Sequence, residues 1–318
     1  MGEETLPSLS RKRCCLKNCI VSGFSTDILE VQANEPSMNV ILIPGNPGVI
    51  SFYKEFVEAL YDILGGSVSI TAIAHLSHSR KDLASGRMFS IHEQIDHKVN
   101  FIMQEIQNRH LPLILVGHSI GSYICMEIFK KLPELVVFSM SLYPFVTLNK
   151  ESLTQHVIGV LARSSLLSVS VSYLVAFFGS FPVSISSALV RTILGSSWSE
   201  TAVDAACNAL LKYHTMRNAL FMAKTEFEEL SAEPDWAFMK ENEKKIAFLF
   251  GVDDHWGPLS LFHEISKRVP GASLSIESEG HAHAFACTQA GSVWVAQHVA
   301  NFVRNQVLKY NKSFQVAS

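Results

Sequence analysis

The sequence predicts an α/β fold, a mostly parallel central sheet flanked by helices on both faces, and three observations carry that expectation. Apolar runs of strand length alternate with longer stretches of helical periodicity. One such run, 113–116, drives straight into Gly117-His118-Ser119-Ile120-Gly121. The alternation then lapses over residues 145–242 and resumes afterwards, as an insertion in a doubly layered core would read.

In chain order, two short apolar runs within 14–33 flank Ser22-Gly23-Phe24-Ser25 and read as a β-hairpin. Residues 38–43 form a buried strand that stops at Pro44-Gly45-Asn46-Pro47-Gly48, a segment too rich in turn residues to extend it. A helix over 52–64, a strand over 68–74, a polar loop and a helix over 91–108 follow. The strand into Ser119 is next, then a helix over 123–132 stopped by Pro133, and a strand over 136–142. Beyond the interruption come a strand (246–250), a helix (259–269), a strand (273–276) and a closing helix (293–309). The chain thus divides into core residues 1–144, a helical, apolar lid over 145–242 inserted between strands 6 and 7, and core residues 243–318.

A chain of 318 residues that is 48% hydrophobic can bury a large core, and its mean hydropathy of +0.20 is high for a protein without long apolar runs. A net charge of −3 argues against a nucleic-acid partner, which leaves a basic excess or stripe. The six cysteines (Cys14, Cys15, Cys19, Cys125, Cys207, Cys287) have no disulfide-framework spacing and read as thiols of a reducing compartment, the first three buried in an initial strand. Neither zinc nor palmitate is expected there, since no second Cys/His cluster completes a metal site. The acidic start Met1-Gly2-Glu3-Glu4 is unlike a signal peptide, Leu6 stands where myristoylation wants Ser or Thr, and Gln315-Val316-Ala317-Ser318 is not a peroxisomal address.

Within the expected lid, residues 164–190 contain no charged side chain, and 166–178 is the most apolar part. A bilayer-spanning helix needs about 20 predominantly apolar residues, whereas this stretch is rich in serine and broken at Gly179 and Pro182. Two roles fit: a lid interior packed over an apolar pocket, or a surface that dips into a lipid monolayer.

The chemistry rests on Ser119. A nucleophile on a sharp strand-to-helix turn needs small residues two positions to either side, and Gly117 and Gly121 supply them. A serine hydroxyl needs a base, and the base a carboxylate that fixes its tautomer; in α/β-hydrolases they follow in the order Ser, Asp or Glu, His. Asp254, in Gly251-Val252-Asp253-Asp254-His255-Trp256-Gly257-Pro258 after a strand, is the expected acid, with Asp253 turned elsewhere. Glu279-Gly280-His281-Ala282-His283 offers two bases, of which the Gly-His pattern of the fold favours His281. A metal on His281-x-His283 is not expected, and no cofactor is implied. Oxyanion donors would be the backbone N–H groups of Ile120 and Asn46. His75 and His78 read as pocket-rim residues, His118 as packing beneath the turn, and Trp256 with the insertion's phenylalanines as core.

Taken together, the Ile-Pro-Gly-Asn-Pro-Gly segment (43–48) with Phe52-Tyr53, the elbow through Tyr123, Lys131-Leu132-Pro133-Glu134-Leu135, the 251–258 loop and His283-Ala284-Phe285 resemble the lipid droplet-associated hydrolase family. The resemblance covers nearly the whole chain, and the 43–48 motif is its most specific part. It implies His283 as base, with His281 the alternative, because His-Ala-Phe is the matching tripeptide. It also implies a serine esterase of hydrophobic, lipid-like substrates such as sterol esters or acylglycerols, without cofactor or metal. Such a protein would act peripherally at the lipid droplet surface or endoplasmic reticulum, on the cytosolic face. The alternatives are a droplet-surface protein whose triad is weak or vestigial, and thioester hydrolysis. Epoxide hydrolysis and dehalogenation are disfavoured, since they place a carboxylate at the elbow.

Overall fold

The computed structural model describes residues 13–106 and 111–317, with side chains through residue 306. The readings of the first twelve residues, of the end of the 91–108 helix and of the C-terminal tetrapeptide as an address lie outside the residues, or the side chains, so described.

A hairpin of Cys15–Val21 (β1) and Phe24–Val31 (β2) starts the sheet, closed by Ser22 and Gly23 at φ of 51° and 83°. Two successive left-handed residues twist a two-residue turn in the sense its strands need. Met38–Ile43 (β3), Val68–Ile73 (β4), Leu113–His118 (β5), Val136–Leu142 (β6), Ile246–Gly251 (β7) and Ser273–Glu277 (β8) complete eight strands in the order β1-β2-β4-β3-β5-β6-β7-β8. Pairing is antiparallel at β1–β2 and β2–β4 and parallel from β4 through β8. The expected mostly parallel sheet is therefore present.

Lys54–Ile63 (α1), Ile91–Glu105 (α2) and Ile120–Lys131 (α3) precede β6. A 3-10 turn over Ile50–Tyr53 takes the place of the first turn expected of α1, and α2 begins in a capping box in which Ser90 and Glu93 satisfy each other's backbone N–H. Between β6 and β7 run Leu153–Arg163 (α4), Ser165–Phe178 (α5), Val183–Ile193 (α6), Glu200–Ala205 (α7), a π-helical turn over Ala206–Leu210, Tyr213–Glu229 (α8) and Trp236–Glu241 (α9). Leu259–Arg268 (α10) joins β7 to β8, and Gln289–Ala317 (α11), longer than the 293–309 expected, closes the chain.

Alternate residues of β3 show how the layers form. Val40 and Leu42 point to a core shared with Phe56, Val57 and Leu60 of α1 and with Val295, Val299 and Val303 of α11. Ile41 and Ile43 point to the opposite core, shared with Ile95 of α2, Ile124 and Ile128 of α3 and Leu261 and Ile265 of α10. The period of two along the strand meets helical stripes on both faces, which is why β4, β5 and β7 are buried throughout. β1 has only β2 beside it in the sheet, so the expectation of three buried thiols is corrected: Cys15 is exposed and Cys14 and Cys19 are half-buried, while all six cysteines are free.

Within the insertion, α5 is turned differently from a packed lid interior. On α5 only Ser168 and Ser172 are buried, one turn apart, whereas Leu166 and Phe177 stand 76% and 57% exposed. The cause is polar: Arg217 of α8 donates from Nη1 to Ser168 Oγ at 2.6 Å, and Ser172 Oγ donates to the Ser168 carbonyl at 2.7 Å. With the serines facing α8, the apolar face of the helix must point outward. α4 and α5 bend by 100° at Ser164, and among the described residues no single helix is long and apolar enough to cross a membrane.

Candidate active site

Ser119 follows the last residue of β5 and caps α3 with φ 55° and ψ −124°, a region that costs a non-glycine residue about 1–3 kcal/mol. Its surroundings hold it there: the Ser119 N–H donates to the Leu142 carbonyl at 2.9 Å, and its own carbonyl accepts from Phe145 N–H at 3.1 Å. A Cβ on Gly117 would lie 2.3 Å from the Gly121 carbonyl oxygen, and one on Gly121 2.3 Å from that of Ile43. Both glycines are thus required by close backbone approach.

Asp254 and His283, on the loops after β7 and β8, come together. His283 Nδ1–H donates to Asp254 Oδ2 at 2.9 Å, and Asp254 Oδ1 accepts from the Trp256 N–H at 2.9 Å. The carboxylate is nearly inaccessible (2% side-chain exposure), the imidazole less so (22%), and Asp253 is exposed. This pairing leaves Nε2 of His283 as the lone-pair nitrogen, the tautomer a general base requires. His283 and Ser119 border one cavity, without a direct hydrogen bond between them. His281 is elsewhere: its N–H donates to Glu277 Oε2 at 2.9 Å and its ring lies against Trp294, 6.0 Å between centroids.

His118 lies buried beneath the elbow and ties three loops together. Gly45 N–H donates to Tyr53 Oη (3.0 Å), Tyr53 Oη–H to His118 Nδ1 (2.6 Å), and His118 Nε2–H to the His283 carbonyl (2.9 Å). Burial, followed by the neighbouring His283, holds the His118 pKa well below the usual imidazole value, so the ring stays neutral and the chain of donors keeps one direction.

Among the described residues, neither the Ile120 nor the Asn46 backbone N–H has a hydrogen-bond partner, and both residues border the cavity beside Ser119. Asn46 precedes a cis peptide bond to Pro47, and its Nδ2 donates to the Ala219 carbonyl (2.9 Å) and to Glu226 Oε1 (3.0 Å) of α8. The loop rests on two histidines. His78 Nδ1 accepts from Gly48 N–H at 2.8 Å, and a Cβ on Gly48 would stand 2.3 Å from the His75 ring. Their expected place at a pocket rim is corrected: at 2% and 1% exposure they are buried support, because glycine at position 48 lets the loop settle onto them.

The cavity measures about 210 Å³ and is walled by Phe145, Trp256 and, from α8, Leu220, Ala223, Glu226 and Phe227. Trp256 and Phe227, expected to be core only, therefore also face it. Larger clefts of about 440 and 460 Å³ lie beside the β1–β2 hairpin and α1, and neither is lined by Ser119, Asp254 or His283.

Residues 36–286 match the family of lipid-droplet associated hydrolases. The chain belongs to this family. The lipid droplet-associated hydrolase of Gallus gallus is 28% identical over 294 residues, covering 87% of each chain. That of Dictyostelium discoideum is 28% identical over 306 residues, covering 92% of this chain and 97% of its own. Of the solved structures, a haloalkane dehalogenase loop variant from Bradyrhizobium elkanii aligns with a TM-score of 0.67 at 12% identity, covering 94% of this chain and 99% of that one. At that identity the likeness is one of fold, the α/β-hydrolase fold.

Three residues of this family member escape sequence reasoning. Tyr53 belongs to the motif that carries the family resemblance, but its role is hidden because it lies 65 positions before the histidine it contacts. Glu277, at the end of β8 and 1% exposed, accepts from the backbone N–H groups of Glu279 (2.6 Å) and His281 (2.9 Å), which shapes the loop leading to His283. Only its position three residues before Gly280 hints at it. Glu226 is one of three glutamates near the end of α8, and nothing local separates it from Glu228 and Glu229.

Proposed function

We propose that this hydrolase is a serine esterase acting on hydrophobic, lipid-like esters, with Ser119 as nucleophile, His283 as general base and Asp254 as its orienting carboxylate. The observation that carries the reading is the Asp254–His283 hydrogen bond, with His283 lining the same cavity as the strained Ser119. In acylation the Ser119 oxygen attacks the ester carbonyl as its proton moves to His283 Nε2. The oxyanion forms against the Ile120 and Asn46 N–H groups, aided by the α3 N-terminus, and His283 then protonates the departing alcohol. Water activated by His283 releases the acid. A fluorophosphonate probe tests the reading: purified wild type should label stoichiometrically and Ser119→Ala not at all. Folded wild type that remains unlabelled, and that turns over no ester, would point instead to a droplet-surface protein with vestigial chemistry.

The lipid setting has its own support. Family relatives carry the name lipid droplet-associated hydrolase, and the insertion exposes large apolar side chains, among them Leu153 (75%), Leu166 (76%), Tyr173 (63%) and Val183 (69%). Water solvates these poorly, and each large aliphatic one buried in acyl chains contributes about 1.5–3 kcal/mol, so a few suffice for peripheral attachment of the kind amphipathic helices make. The charge-free run 164–190 removes the cost of desolvating ions there. We expect Leu166→Glu with Phe177→Glu to lower binding to triacylglycerol emulsions coated with phospholipid by roughly a hundredfold, measured by flotation. Short-chain ester hydrolysis in buffer should persist in this variant. Unchanged flotation would remove the α5 face from the contact.

A further inference from the structure

Glu226 is the only acidic residue bordering the cavity among the described residues, and it sits 3% exposed between the apolar side chains of Ala223 and Phe227. Its Oε1 accepts from Asn46 Nδ2, and the same nitrogen donates to the Ala219 carbonyl, two turns earlier on the same helix. The Ala219 carbonyl is an acceptor whatever the charge on Glu226, so the NH2 end of the amide occupies that position; a flipped Asn46 would set its oxygen against that carbonyl oxygen. The remaining Asn46 Oδ1 is buried and unpartnered, so the amide is held through its nitrogen alone. The backbone N–H of this residue is the oxyanion donor proposed above.

We infer that Glu226 is a positioning residue: through the Asn46 amide it ties α8 of the insertion to the loop carrying the second oxyanion donor, so that donor is in register with Ser119 only while α8 is seated. The inference rests on the serine-hydrolase reading. The protonation state of the carboxyl follows from its place. Burial pushes its pKa up to about 8, against the lowering by the Asn46 hydrogen bond, so it is a neutral acid at pH 7. A neutral carboxyl accepts from Asn46 without setting a charge on the cavity wall. An ionised one faces the developing oxyanion across a poorly solvated space and opposes it.

Titratable groups on the elements packed around α8 are committed elsewhere. His92 of α2 and Tyr123 of α3 pair with Glu229, and Glu93 of α2 with Arg87. Lys98 of α2 donates to the Ala74 carbonyl and Gln94. On α8 itself Arg217 holds Ser168 and Lys224 pairs with Glu228, while His156 and Arg163 of α4 are exposed and His283 donates to Asp254.

The test is the second-order rate at which a fluorophosphonate modifies Ser119, followed from about pH 6 to 10 in wild type, Glu226→Gln and Glu226→Leu, with a thermal melt of each. In that reaction the serine oxygen forms a P–O bond, fluoride leaves with the P–F pair, and the serine proton goes to His283; the phosphoryl oxygen occupies the oxyanion position. Wild type should slow by roughly tenfold between about pH 7 and 10 as the carboxyl ionises. Glu226→Gln, which keeps an acceptor and cannot ionise, should stay within about threefold of wild type at pH 7 and lack the alkaline fall. Glu226→Leu should be slower by roughly tenfold or more at every pH. An alkaline limb that survives in Glu226→Gln overturns the inference, as does a folded Glu226→Leu with the wild-type rate. Should the leucine variant not fold, the glutamine profile decides. Folded wild type that takes no label overturns the underlying hydrolase reading as well, a result distinct from labelled wild type with unaltered variants.

Discussion

Replacing His283 with alanine should lower ester turnover by roughly ten-thousandfold or more, whereas His281→Ala should stay within about threefold of wild type. The contrast follows from what each ring touches. Nδ1 of His283 is 2.9 Å from a carboxylate with 2% side-chain exposure, so its other nitrogen is free to take the serine proton and the resulting imidazolium is stabilised in place. The His281 ring rests on Trp294, and its structural contribution comes through the backbone N–H to Glu277, which alanine retains. The decisive measurement is the turnover of a short p-nitrophenyl ester by each purified variant, with fluorophosphonate labelling alongside. Loss confined to His281→Ala would reverse the assignment.

Gly121→Ala should be strongly destabilising for a single added methyl group. The added carbon would stand 2.3 Å from the Ile43 carbonyl oxygen and 2.7 Å from that of Pro44, and both are backbone atoms that no rotamer change can move aside. Overpacking of that kind costs about 3 kcal/mol, which for a domain of this size lowers the melting temperature by roughly 4–6 °C. Relief has to come from displacing the end of β3, and the segment displaced leads directly into Asn46. Misplacement by about 1 Å in a reacting constellation costs around a hundredfold, so phosphonylation should slow by that order even where the variant still folds. A melt within 1 °C of wild type would mean that the strand end yields freely and that the glycine is not needed for space.

The core was readable because its physics is local. A run such as Leu113-Ile114-Leu115-Val116 feeding a glycine-bracketed serine leaves few alternatives to a buried strand and a sharp turn, and the alternation around it fixes the parallel sheet. Asp254 was within reach because its loop follows a strand, whereas the fold pattern pointed to His281 and only the family resemblance pointed to His283. What escaped depends on partners distant in sequence. The apolar character of α5 was plain, yet which face turns inward is decided by Arg217, 49 residues away from the serine it holds. His75 and His78 looked like rim residues until Gly48, 27 positions before His75, settled onto them. Of the two histidines, Glu277 engages the backbone N–H of His281 while the His283 ring pairs with Asp254, and that difference is what supports the proposal of His283 as base.

The cavity of about 210 Å³ is smaller than the roughly 300–1,000 Å³ that encloses an ordinary drug-sized ligand. A long-chain ester engaged at Ser119 would therefore keep much of its hydrocarbon outside the walls. Every methylene left in water costs about 0.8 kcal/mol, so a molecule pulled wholly free of its oil would meet a penalty that this small chamber does not repay. On the proposed lipid-ester reading the oil phase would complete the receptor: the protein would hold the few atoms that react, and the surrounding lipid would solvate the tail throughout turnover. Chemical competence and access to bulk lipid then become separately measurable quantities, the first with short soluble esters and the second only at an interface.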